Sequence, residues 1–339
     1  MKAVLFDHAG RNRFQLCDID EPVPESGGVL LDMRAATLNF RDHLILSQPV
    51  SPYSGDARGR IAGSDGVGVA HAISESVRGI DRGGRYMPSF FPDWLDEGPE
   101  IANLERHLGG SVPGIMAERI VSRGNSLVAV PEHLSDHEAA ALPCAGVTAW
   151  AALVMYGCAR ANQTILVQGT GGVSILAMQI AKSIGLRIIV TSSSDTKLER
   201  AKSLGADVVI NYKNSPDWAA DVLDATNGRG VDHLIDVGGE ATLASSLRSV
   251  AMGGHLSLVG VPGGYGGQLD GMSLRGRIIH IHTVFVESRR ALQDLSAFVA
   301  EHRIRPIIDR TFPMECANAA MDTMLSGKHF GKVALSLEA

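Results

Sequence analysis

Residues 164–191 constrain the fold more than any other stretch of this chain. An apolar, β-rich run from Thr164 to Gln168 ends on Gly169-Thr170-Gly171-Gly172, a periodic apolar segment follows to Ile184, and a second β-branched run covers Arg187 to Thr191. Strand, glycine turn, helix and strand in that order make a βαβ unit of about thirty residues. Glycines at such a turn let the backbone approach a pyrophosphate. The helix start adds free N–H groups and the positive end of its dipole. Gly169, Thr170, Gly171, Gly172 and Val173 are therefore candidate dinucleotide contacts. The third glycine of the usual fingerprint is replaced by Ser174. Its weight comes from the strand-to-helix context and from the units that follow.

Those units repeat the pattern. Strands are expected at 164–168, 187–191, 207–210, 231–237 and 254–260, with helices near 172–184, 195–203, 216–226 and 240–250. Such alternation predicts a parallel sheet covered on both faces, and a sixth strand is expected at 278–285. Residues 1–126 read differently. Short strand-like runs at Lys2–Phe6, Gly28–Ala35, Gly66–Ala70 and Arg85–Met87 are separated by glycine and proline, as in a mostly β domain. A helix over 288–301 and a β-like segment, Lys332–Leu337, are expected to return and complete that first domain. The fold class is thus α/β: a doubly wound Rossmann sheet over 127–285, and a mostly β domain made of 1–126 with 286–339.

At 339 residues the chain is long enough for two cores. A net charge of −6 and a pI near 6.0, without any basic run, argue against nucleic acid or a membrane surface as partner. The N-terminus enters a strand pattern at once, and no run of eighteen apolar residues is present, so a cytoplasmic protein with no membrane span is expected. Cys17, Cys144, Cys158 and Cys316 are far apart and form no CxxC, so neither a disulfide framework nor a closed zinc site is expected. His280 and His282 share one face of a strand-like run; a polar strand face is the favoured reading over a metal pair.

Several motifs in order carry a resemblance. Leu38-Asn39-Phe40-Arg41-Asp42, Gly63-Ser64-Asp65-Gly66-Val67-Gly68, Ala139-Ala140-Ala141-Leu142-Pro143, Thr148-Ala149-Trp150, Leu204-Gly205-Ala206-Asp207 and His329-Phe330-Gly331-Lys332 join the glycine turn. Across essentially the whole length, the chain resembles the medium-chain dehydrogenase/reductase superfamily, in its zinc-independent, quinone-oxidoreductase-like branch. The resemblance implies a GroES-like catalytic domain beside the Rossmann domain, with the active site in the cleft between them. The zinc-dependent alcohol dehydrogenases of the superfamily place a cysteine near Phe40 and a histidine where Ser64 stands. Here only Cys144 remains at the third ligand position, and residues 86–98 carry no cysteine where a structural zinc lobe would lie. No metal is expected.

The end of the second Rossmann strand bears on the cofactor. An acidic residue there binds the ribose hydroxyls of NAD and repels a 2′-phosphate. This chain has Thr191-Ser192-Ser193-Ser194, which is neutral and rich in hydroxyls; the same residues also suit a helix cap. The resemblance adds Lys197 and Tyr212 as a clasp for the phosphate, so NADP(H) is favoured over NAD(H), with Asp195 the one contrary charge. It also implies cofactor contacts at Thr148, Val259, Gly260, Val261, Val284 and Phe285. At the last of these segments the family often has Gly-Ser-Arg, and this chain has Glu287-Ser288-Arg289. Lys332 is placed among the cofactor residues by the same motif match, with a surface lysine as the equal alternative.

Asn39 is the candidate donor to a substrate carbonyl, and Tyr53 and His43 are candidate proton donors. Phe90, Phe91 and Trp94 suit either substrate stacking or core packing. The expectation is an NADPH-dependent, metal-free reductase of quinones or α,β-unsaturated carbonyl compounds. The alternatives are a zinc-free alcohol dehydrogenase or carbonyl reductase, and an NADPH-binding protein of low turnover. A homodimer is expected through the sixth strand, which carries Ile278, Ile279 and Ile281.

Overall fold

A computed structural model describes residues 1–7, 12–48, 50–51, 54–96, 98–260, 262–264, 269 and 271–338. The chain divides into two units, Met1–Val147 with Val286–Ala339, and Thr148–Phe285. The first boundary lies later than the expected 126/127. The intervening segment is tied to the first unit by a helix at Asp136–Ala139. Arg85 Nη1 donates to Asp136 Oδ1 at 3.0 Å, His137 Nε2 lies 3.0 Å from Ser336 Oγ, and the Thr37 hydroxyl donates to Ala140 O at 3.0 Å.

The second unit is a six-stranded parallel sheet. Its strands run in the order Val208–Asn211, Arg187–Ser192, Thr164–Gln168, Val231–Asp236, Val250–Leu258 and His280–Thr283. The order reverses between Thr164–Gln168 and Val231–Asp236, the switch point at which such sheets bind ligands. Both of those strands are buried throughout, and neither shows the apolar/polar alternation of a half-exposed strand. Helix Gly172–Ile184 buries Ile175, Leu176, Met178 and Ile180, each contributing about 1.5–3 kcal/mol, and ends on Gly185 in the left-handed conformation (φ 91°).

The first unit is built on a seven-stranded mixed sheet. Gly28–Thr37 and Asp65–Ile73 pair antiparallel at its centre, with Thr37 opposite Asp65. Lys332–Ser336 lies on the other side of Gly28–Thr37 and pairs parallel with Ile308–Pro313 at the sheet edge. The core packs Phe6, Leu31, Ile45, Ile115 and Met116 from one half of the unit against Met321, Val333 and Leu335 from the returning C-terminal segment. The run Asp136–Met155 contains two π-helical turns, Leu142–Gly146 and Ala151–Met155. By length and composition alone this run is apolar enough to cross a membrane, which the sequence reading did not anticipate; most of it is buried, as a core helix would be.

Candidate active site and cofactor-binding segment

In the first unit the motifs at 37–42, 64–65 and 332 converge on one buried polar cluster. Lys332 is 4% exposed. Its Nζ donates to Leu38 O at 2.8 Å, to Asn39 Oδ1 at 2.6 Å and to Asp65 Oδ2 at 3.3 Å. The other Asp65 oxygen accepts from Ser64 Oγ at 3.0 Å. Asn39 precedes helix Phe40–Ser47, and its backbone N–H donates to Asp42 Oδ2 at 2.9 Å, which fixes the start of the helix. The Asn39 Nδ2 atom is buried and has no hydrogen-bond partner among the described residues.

Asp42 is fully buried, and burial pushes its carboxyl up to about 6 against the opposing pull of Arg41, whose Nη1 lies 3.6 Å away. Arg41 in turn donates to Leu108 O at 3.0 Å, meets His107 Nδ1 at 3.0 Å, and lies over the Phe90 ring. Phe90, Phe91 and Trp94 are buried, with exposures of 1%, 0% and 5%. They pack in series, Phe91 edge-on to Phe90 and Trp94 tilted against Phe91, as core residues rather than as a face for a flat substrate. His43 is half-buried against Phe40, with ring centroids 5.5 Å apart. Tyr53 lies outside the described residues.

The zinc site of the superfamily does not fit these residues. Phe40 and Ser64 offer no ligand, and burial, with Asp65 next in effect, raises the Cys144 thiol far above its ordinary range. Among the described residues no group of three histidine, cysteine or acidic side chains is placed to hold a metal ion. His280 and His282 face His255 instead. The His255 and His282 rings lie within 10° of one plane with Nδ1 3.2 Å from Nε2, an edge-to-edge N–H···N pair.

In the second unit the glycine turn leaves its backbone uncovered. Gly169 has φ 71°, and a Cβ built on it would meet nothing within 4 Å, so the backbone is open to a close approach. Gly169 N–H donates to Thr191 O at 2.8 Å, locking the turn to the second strand. Ser174 stands at the third glycine position because its hydroxyl folds back onto Gln168 O at 2.6 Å, satisfying the strand end from inside the helix. Thr170, Gly171, Gly172 and Val173 follow at the helix start, and Thr148 is 4% exposed in the helical run before the sheet.

The ends of the next two strands come together. Tyr212 N–H donates to Ser192 O at 3.1 Å, and the Tyr212 ring is exposed. Ser193 and Lys197 are half-buried at the start of the following helix. Asp195, the contrary charge, accepts from Asn211 Nδ2 at 2.6 Å. Val259 and Gly260 N–H groups both donate to Asp236 O, and Val261 lies outside the described residues. Val284 is buried and donates to Leu258 O at 2.9 Å, while Phe285 is exposed. Glu287 belongs to the first unit, where its carboxylate turns back onto the Ser288 N–H at 2.6 Å, at the start of helix Arg289–Glu301.

Sequence reasoning missed Asp236. Its Oδ1 accepts from Gly238 N, Gly239 N and Thr242 Oγ1, and its Oδ2 from Ser246 Oγ at 2.6 Å, so one buried carboxylate shapes the turn after the fourth Rossmann strand. An Asp followed by two glycines at a strand end was the available signal.

Comparison with known proteins identifies the family. Residues 172–301 match the zinc-binding dehydrogenase family. A zinc-type alcohol dehydrogenase-like protein of Schizosaccharomyces pombe is 38% identical over 328 residues, covering 92% of this chain and 91% of its own. The chain belongs to that family. It is a medium-chain oxidoreductase of the dehydrogenase/reductase superfamily. An acryloyl-coenzyme A reductase of Metallosphaera sedula is 30% identical over 354 residues, with 99% of this chain and 100% of the other covered. The solved structure of an NAD-dependent alcohol dehydrogenase superposes with a TM-score of 0.89 at 31% identity, covering 99% of each chain. At the positions that hold zinc ligands in that family, this chain has phenylalanine, serine and a buried cysteine.

Proposed function

We propose that the protein is a metal-free, NADPH-dependent reductase of conjugated carbonyl compounds, quinones or α,β-unsaturated ketones and aldehydes. The observation that carries this reading is the polar cluster around Asn39, which holds a buried ammonium and an unpartnered amide donor where the zinc enzymes of the superfamily hold their ligands. Bound NADPH would supply the hydride. Gly169, Thr170, Gly171, Gly172 and Val173 would hold its pyrophosphate, and Ser192, Ser193, Lys197 and Tyr212 its 2′-phosphate. Thr148, Val259, Gly260, Val261, Val284 and Phe285 would complete the contacts. Asn39 would donate to the carbonyl oxygen as negative charge develops there. Tyr53, His43 or water would deliver the proton.

The acryloyl-coenzyme A reductase among the relatives supports an enoyl-type substrate, and the NAD-dependent relative is the main support for the rival cofactor. The neutral end of strand Arg187–Ser192, with Asp195 turned to Asn211, favours NADPH. A panel of quinones, enals, enones and simple aldehydes, run with NADPH and with NADH, tests the reading. Turnover of conjugated acceptors with NADPH and none lost to a chelator is expected. One zinc per chain with chelator-sensitive activity would overturn it, and tight NADPH binding without turnover would make the chain a binding protein. We further propose a homodimer joined through the edge strand His280–Thr283, beside which Ile278, Met272 and Met252 are exposed. A monomer mass in solution scattering would reject it.

A further inference from the structure

An ammonium group only donates, so the Asn39 atom that meets Lys332 Nζ at 2.6 Å is the amide oxygen. The two senses of a side-chain amide are ordinarily hard to tell apart, and here a donor-only partner decides between them. Nδ2 therefore lies on the side away from the cation, buried, with no acceptor among the described residues. The remaining donors of the ammonium are matched by Leu38 O and Asp65 Oδ2. Lys332 thus has three acceptors for three N–H groups and none left for a phosphate, which argues against its expected place among the cofactor contacts.

We propose that Lys332 is a positioning residue for carbonyl reduction: by holding Asn39 Oδ1 it fixes the amide in the one sense that presents Nδ2–H to the substrate carbonyl oxygen. The inference rests on the reading above of a reductase of conjugated carbonyl compounds. A cation bonded to the amide oxygen also draws charge from the nitrogen, making its N–H a better donor than a free asparagine would be. Asn39 keeps its proton throughout. The hydride bonds to the β-carbon, the C=C pair shifts to join the α-carbon to the carbonyl carbon, the C=O pair moves to oxygen, and the N–H bond stabilises that enolate oxygen until a proton arrives from elsewhere. With an apolar residue at 332, only the capping contact at the helix start would favour the amide oxygen on that side, and the flipped sense, which presents Oδ1 and repels the carbonyl, would gain population.

The test uses cinnamaldehyde labelled with ¹³C at the carbonyl, bound with NADP⁺ so that no hydride is transferred, and reads the carbonyl stretch by difference infrared spectroscopy. Wild type should show a stretch lowered from its value in water, retained in Lys332→Arg and lost in Lys332→Met. Asn39→Asp keeps a partner for Lys332 but has no N–H, so it separates the donor from the fold; the lowered stretch should disappear there too. With NADPH, Asn39→Asp should lower kcat by about 10²–10³-fold with the KM for NADPH unchanged. Lys332→Met combined with Asn39→Ala should be no slower than Asn39→Ala alone, because both remove one donor. A lowered stretch that survives in Asn39→Asp or Lys332→Met, or losses that multiply in the double variant, would overturn the inference while leaving the reductase reading intact. A wild type that neither binds nor reduces any carbonyl compound would overturn both.

Discussion

The two units build their polar centres in opposite ways. In the second, the side-chain bonds that close each turn are local: Ser174 reaches back six residues to Gln168, and Thr242 and Ser246 reach back six and ten to Asp236. The longest reach among these residues is that of Gln168 to Ser246, across 78. In the first, Lys332 reaches Asn39 across 293 residues and Asp65 across 267, and Thr37 reaches Ala140 across 103. A local centre is made of neutral hydroxyls, amides and one carboxylate fed by N–H groups. The distant one is made of paired full charges inside a sheet core. Charges taken out of water need an exact partner, and that partner comes from wherever the topology delivers it.

The largest test of this difference is stability. Lys332→Met leaves the Asp65 carboxylate buried with only hydroxyl partners, and breaking a buried pair from one side costs about 3–5 kcal/mol. Hydrogen exchange should show the loss confined to strands of the first unit, with the Rossmann strands protected as in wild type. Asp65→Asn added to Lys332→Met should restore part of it by removing the stranded charge. If the single variant loosens both units alike, the charge cluster is not a property of one unit alone.

Legibility from sequence followed the same divide. Strands Thr164–Gln168 and Val231–Asp236 and the helices Gly172–Ile184 and Asp195–Ser203 lie where periodicity places them, within a residue, because each is a local pattern ended by a glycine, an aspartate or a serine. The sixth strand is shorter than the expected 278–285. Ile278 has φ 54°, which a β-branched residue in a strand does not adopt, so pairing begins at His280. In the first unit, sequence marked Asn39, Asp65 and Lys332 as motif residues. It did not show that they bond to one another, since no local pattern encodes an approach across nearly the whole chain. Phe90, Phe91 and Trp94 are likewise ambiguous in sequence, because Arg41 and His107, which pack on Phe90, lie elsewhere in the chain.

The units should also respond to pH with opposite sign. His233 is 2% exposed, and burial, with His255 next and Asp232 opposing, holds it at about 4 rather than 6.5. It is neutral when folded and gains a proton when unfolded, so its contribution is present above about 6.5 and is lost as pH falls toward 4. The gap between those values corresponds to roughly 3 kcal/mol. Asp42, raised from 3.8 to about 6 by burial, behaves in reverse. The folded state holds its proton more tightly, so that contribution is present below 3.8 and lost as pH rises through 6. Lowering pH from 7 to 5 should therefore weaken the second unit while it favours the first. Hydrogen exchange at the two pH values checks this, and His233→Gln should flatten the response of the second unit alone. The same response in both units would break the contrast.

The smallest expected effect tests whether the local centre reads the cofactor. Lys197 is half-buried at the start of helix Asp195–Ser203, beside the strand end where Ser192 and Tyr212 are joined by a backbone bond. If it meets the 2′-phosphate, Lys197→Ala removes a charge-assisted contact and should cost about 1.5–3 kcal/mol, roughly 10- to 100-fold in NADPH affinity. NADH affinity should stay the same, since NADH has no phosphate there. Asp195 sharpens the test. Its bond to Asn211 holds the carboxylate at 2.6 Å from a neutral amide, so Asn211→Ala would free that charge and should weaken NADPH while leaving NADH nearly unchanged. The two variants act from opposite ends of the same preference, one by removing an attraction and one by releasing a repulsion. Equal losses for NADPH and NADH in Lys197→Ala would show that the lysine supports the helix rather than the phosphate. The neutral serines would then be read as a helix cap, and the NAD-dependent relative as the better guide to the cofactor.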